Sequence, residues 1–102
     1  MTTMDQIEQV DAADWAEWLA ANKGKLLDIR ETEEWEQGTL PGAILIPMTE
    51  ITERLDEVPN DGPLLCICRG GGRSQRVAEF LAHHGYEVAN MAGGMHALGM
   101  QD

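Results

Sequence analysis

The stretch Leu64-Leu65-Cys66-Ile67 is apolar at every position. A strand with one face in water alternates apolar and polar residues. A strand apolar on both faces must be covered on both, as an inner strand of a parallel sheet is. A turn, Pro59-Asn60-Asp61-Gly62-Pro63, precedes it. Behind it come Cys68-Arg69-Gly70-Gly71-Gly72-Arg73 and then, from Ser74, a helix-like stretch. Strand, glycine-rich loop and helix in that order point to an α/β fold.

The rest of the chain keeps the alternation. Ile7 to Val10 reads as a first strand. A helix follows, with Asp11 as N-cap and Lys23-Gly24 as its end. Trp15, Trp18 and Leu19 fall at i, i+3 and i+4 and mark its buried stripe. Lys25 to Arg30 is a strand that turns polar at its end, and Glu31 to Gln37 is an acidic helical turn. Gly38-Thr39-Leu40-Pro41-Gly42 is a loop, Ala43 to Ile46 a strand, and Ile51 to Leu55 a short helix. Ser74 to His84 is the clearest helix, with Val77, Ala78, Leu81 and Ala82 on its apolar face and Gly85 just past its end. Tyr86 to Asn90 forms a last strand and Met95 to Leu98 a terminal helix. The expected architecture is one domain over residues 1–102, a mainly parallel five-stranded sheet with helices on both faces.

The chain carries 18 acidic residues against 7 Lys and Arg, a net charge of −11. That balance argues against nucleic acid and against anionic membranes as partners. No apolar run approaches the roughly 20 residues that span a bilayer. Met1 to Asp5 lack the basic and apolar regions of a signal peptide. Cys66 and Cys68 are separated by one residue, so a disulfide between them would close a strained ring. Free thiols fit a reducing cytoplasm, the expected location. His83, His84 and His96 match no zinc spacing, so no metal and no cofactor is expected.

The glycine-rich loop departs from this acidic background. Residues 62–77 contain no Asp or Glu, yet hold Arg69, Arg73 and Arg76. The glycines allow several backbone N–H groups to converge on one centre. The helix behind them adds the positive end of its dipole. Both favour a thiolate at Cys68 and an anionic ligand beside it. This reading requires a Cys68 sulfur that solvent can reach.

Four landmarks, in order, resemble the rhodanese-like sulfurtransferases in their small single-domain form, over about Val10 to Gly99. Leu27-Asp28-Ile29-Arg30 with Glu34-Trp35 is similar to that family's Asp-x-Arg strand end and following Glu-aromatic pair. Gly38-Thr39-Leu40-Pro41-Gly42-Ala43 is similar to its Gly-His-Ile-Pro-Gly-Ala. Cys68-Arg69-Gly70-Gly71-Gly72-Arg73-Ser74 resembles its Cys-Arg-x-Gly-x-Arg-Ser loop, and Asn90-Met91-Ala92-Gly93-Gly94-Met95 its terminal Gly-Gly motif. Thr39 stands in place of the usual histidine, and Leu98 in place of a common tryptophan.

The resemblance implies a thiosulfate sulfurtransferase acting through a persulfide on Cys68. Arg69, Gly70, Gly71, Gly72 and Arg73 would then bind the substrate, and Asp28 and Arg30 would support the site. The implied partners are a small anionic donor such as thiosulfate, a thiol or cyanide acceptor, and in a carrier role a sulfur-accepting protein. Arg73 either draws the donor or braces the loop. Cys66 is either a resolving thiol or a small buried hydrophobe. Arg30 and Glu34 are spaced for a local ion pair. A phosphatase or arsenate reductase is a further rival, but such a loop would carry arginine six residues after its cysteine, where this chain has Ser74. The docking of an inactive module on a partner is the remaining rival.

Overall fold

The computed structural model describes residues 7–99. The reading of Met1 to Asp5 lies outside them. Five strands, β1 (Glu8–Asp11), β2 (Lys25–Asp28), β3 (Ile44–Leu45), β4 (Leu64–Ile67) and β5 (Val88–Ala92), form one sheet in the order β1-β5-β4-β2-β3. Every pairing is parallel. The helices are α1 (Trp15–Asn22), α2 (Thr32–Trp35), α3 (Gly72–His83) and α4 (Gly94–Ala97).

The apolar run takes the central position. On β4, Leu64 and Cys66 face one core and Leu65 and Ile67 the other, and all four are fully buried. The first core lies under α3, through Val77, Ala78 and Leu81, with Ile51 and Val58. The second lies under α1 and α4, through Trp15, Trp18, Leu19, Met95 and Leu98. Helices therefore cover both faces, as a two-sided apolar strand demands. The tryptophans of α1 pack against this core but are only half-buried.

Several boundaries differ from the expectation. Asp11 ends β1 rather than capping a helix, because residues 8–11 find a partner in β5. A single 3-10 turn, Ala12–Asp14, then precedes α1. The expected helix Ile51 to Leu55 is replaced by two 3-10 turns, Met48–Glu50 and Leu55–Glu57. β5 sits two residues later than its apolar start suggests. Its register is set by the pairing of Val88 with Leu64 and of Asn90 with Cys66. Gly85 ends α3 as expected, at φ +88°, with Tyr86 N–H donating to the Leu81 carbonyl at 3.0 Å. Among the described residues, no helix is long and apolar enough to cross a membrane.

Candidate active site

In a parallel sheet the strand ends that carry the carboxyl termini meet the helix starts, and ligands gather there. Cys68 is the first residue beyond that end of β4. Its Sγ accepts the N–H of Gly71 at 3.0 Å and of Ser74 at 3.3 Å. Gly71 makes this turn at φ +101°, and a Cβ there would come within 3.2 Å of Gly93 N. Only glycine serves at that position. Gly70 and Gly72 have no such constraint: a Cβ at either would meet open space. The expectation that all three glycines curl the loop therefore holds for Gly71 alone.

α3 begins at Gly72, two residues sooner than expected, so Gly72, Arg73 and Ser74 form its first turn. The N–H groups of a first turn have no partner within the helix. That of Ser74 goes to Sγ. Those of Gly72 and Arg73 have no acceptor among the described residues. Cys68 thus sits at the positive end of a 12-residue helix.

The sulfur is more covered than the sequence suggests. Cys68 retains 1% of its surface, against the expected open thiol. The cause is the loop itself, whose Gly71 backbone folds back over the sulfur. Arg69, Gly70 and Gly72 around it are exposed, but the sulfur itself is not. The sulfur rests in a nest of amides. Clefts of about 340 and 440 Å³ lie elsewhere, beside Trp18 and beside Tyr86, and no loop residue lines either.

Arg73 is held by Glu34. Its two terminal nitrogens each donate to one carboxylate oxygen at 2.8 Å. The Arg73 guanidinium beside it lowers the Glu34 carboxyl to about 2. Of the two roles open to Arg73, bracing is the one its side chain performs here. Glu34 is not the ion partner of Arg30, as its spacing suggests. Arg30 instead reaches back to Asp28, with Nε to Oδ1 at 3.0 Å and Nη2 to Oδ2 at 2.8 Å, both residues fully buried. Its remaining donors hold the Gly38 carbonyl at 2.8 Å and the Glu34 carbonyl at 3.3 Å. A relay runs from β2 through α2 to the loop: Asp28, Arg30, Glu34, Arg73.

Cys66 is fully buried in the core below Cys68. Burial pushes its thiol up to about 12, with the neighbouring Cys68 adding to the shift. It is a packed hydrophobe, not a poised second thiol. Two further contacts of the loop carry no signal of their own in the sequence. Asn90 of β5 donates through Nδ2 to the Gly71 carbonyl at 3.2 Å. Met95 and His96 of α4 donate their N–H groups to the carbonyls of Cys68 and Arg69, each at 2.9 Å.

Residues 11–101 match the rhodanese-like domain. The chain belongs to the rhodanese-like family. It is 34% identical over 93 residues to a putative sulfurtransferase, YtwF, of Bacillus subtilis, covering 90% of each chain. It is 36% identical over 91 residues to a sulfurtransferase of Allochromatium vinosum, covering 87% of this chain and 85% of that one. A rhodanese-like domain protein of Staphylococcus aureus superposes with a TM-score of 0.84 at 32% identity, over 93% of this chain and 94% of that one. Its rhodanese-like relatives support sulfur transfer as the general chemistry of this chain. In this rhodanese-like domain the cysteine loop and the Gly93-Gly94 turn meet in space, which explains why the two motifs occur together.

Proposed function

We propose that this protein moves a sulfane sulfur from a small anionic donor, thiosulfate or a similar compound, to a thiophilic acceptor through Cys68. The thiolate of Cys68 attacks the outer sulfur of thiosulfate. The sulfur–sulfur bond breaks, and sulfite leaves with the electron pair. Cys68 then carries a persulfide. A thiolate or cyanide attacks its outer sulfur, the bond to Sγ breaks, and the Cys68 thiolate returns. No outside oxidant or reductant is needed.

The observation that supports this most is the pair of N–H groups on Sγ, with those of Gly72 and Arg73 unclaimed beside them. Converging amides at a helix start stabilise an anionic sulfur as an oxyanion hole stabilises oxygen. Arg69, exposed at the outer side of the loop, supplies positive charge toward an incoming anion. Its replacement by alanine should raise KM for thiosulfate more than it lowers kcat.

The deciding experiment is an intact mass after mixing with thiosulfate. One added sulfur atom is expected, and none in Cys68→Ser. A wild-type protein that takes up no sulfur, or a serine variant that takes up as much, ends the proposal. A parallel reaction with a phosphate ester tests the phosphatase alternative.

A further inference from the structure

We infer that Asn90 and the Gly94 turn are positioning residues: they hold the loop carbonyls outward and so aim the amides that follow them, those of Gly70 and Gly72 among them, toward an anion at Cys68. The inference rests on the proposed sulfur chemistry for its purpose, and on backbone geometry for its substance.

The peptide unit is planar and trans, so a carbonyl and the N–H that follows it point in opposite directions. No cis bond occurs among the described residues. Fixing a carbonyl therefore aims the next amide. The Cys68 carbonyl accepts Met95 N–H, and the Arg69 carbonyl accepts His96 N–H. The amides of Arg69 and Gly70 are thereby turned away from α4. The Gly71 carbonyl accepts Asn90 Nδ2 and Gln75 N–H, each at 3.2 Å. The amide of Gly72 is thereby turned away from them. Three amides are aimed by outer donors, and a further two, those of Gly71 and Ser74, already rest on Sγ.

Each outer donor is itself fixed. Asn90 is almost fully buried, its Oδ1 accepts the Ser74 hydroxyl, and its Nδ2 also reaches Gln9 Oε1 at 2.9 Å. The side chain cannot turn without losing partners on both ends. Gly94 adopts φ +57°. A Cβ there would overlap the carbonyl oxygens of Cys68 and Arg69, so α4 could not approach the loop. A close backbone approach of this kind is a use only glycine serves.

The test is alkylation of Cys68 by iodoacetamide at neutral pH, mapped by peptide mass. It requires no sulfur donor, so it stands apart from the proposed reaction. Asn90→Ala and Gly94→Ala should each slow the alkylation of Cys68 at neutral pH by about tenfold. Thiosulfate uptake should slow by a similar factor. Gly85→Ala is the control. It has a like positive φ (+88°) but no atom near its Cβ, so it carries the strain without touching the loop. Asn90→Ala and Gly94→Ala that fold and keep the wild-type rate overturn the inference, as does Gly85→Ala slowing it equally. If neither variant folds, amide NMR of the wild type decides: Gly70 and Gly72 N–H signals should shift when Cys68 is alkylated, and their constancy overturns it. Failure of the wild type to take sulfur, with the alkylation differences intact, would sink the proposed reaction alone.

Discussion

The guanidinium of Arg73 lies flat on the carboxylate of Glu34, two parallel contacts of 2.8 Å across 39 positions of sequence. The pair joins the first turn of α3 to α2, and so ties the loop after β4 to the helix that follows its neighbour β2. Bidentate arginine–carboxylate pairs fix geometry as well as charge.

Glu34→Gln should cost ~1 kcal/mol at neutral pH, the upper range for a partly exposed pair. Its pH dependence follows from the lowered carboxyl. The folded value, about 2, lies below the ordinary carboxylate value of 4.5, so the contribution is complete above that value and fades as pH falls toward 2. Urea denaturation of both proteins at pH 7 and near pH 2 should show a gap in the first condition that closes in the second.

The Asp28–Arg30 pair should behave quite differently, because both side chains have no exposed surface. Asp28→Asn or Arg30→Ala leaves a buried charge without its partner, a loss of about 3–5 kcal/mol. Arg30→Lys should not rescue, since one ammonium cannot replace a fork that serves Asp28, Gly38 and Glu34 together. Thermal melts compare the three variants, and a lysine variant as stable as wild type would contradict the fork argument.

Cys66 should be silent in neutral solution. Cys66→Ser is expected to keep most of the sulfur transfer, and native alkylation should spare Cys66. Its raised thiol has a stability consequence at high pH. The folded value, about 12, exceeds the ordinary 9.0, so its contribution is complete below about 9 and disappears as pH climbs to 12. Alkaline unfolding should be less steep in the serine variant. An equally steep curve assigns the alkaline loss to other groups.

The cover over Cys68 should make the site selective for size. Thiosulfate is expected to modify the native thiol, whereas a bulky aromatic disulfide reagent reacts at least about tenfold more slowly than with the unfolded chain. Equal rates in the native and unfolded states would mean that the loop does not screen the sulfur.

The local parts of this molecule could be read in order along the chain. Four apolar residues gave the central strand, one cysteine and three glycines gave the nest, and the i, i+3, i+4 pattern gave the faces of α1 and α3. The parts that depend on distant pairing could not be read so. Glu34 looked like a neighbour of Arg30 because spacing reports only along-chain proximity. Asp11 looked like a cap because its strand partner, Ala92, is near the other end of the described residues. Asn90 carried no signal beyond its place beside the Gly-Gly motif, since a buried amide is recognised by what it holds. The covered sulfur was missed for the same reason: a tight turn hides the centre it surrounds.

The contact between α4 and the loop also sets an order of assembly. The ribosome releases Cys68 well before Val88, Asn90 and Gly94. Until β5 slots in between β4 and β1, neither the amide of Asn90 nor the turn at Gly94 is in place. A nascent chain halted before β5 would therefore expose a cysteine with an unshaped loop. The proposed reactive centre is among the last features of this protein to mature, although the cysteine at its heart is made in mid-chain.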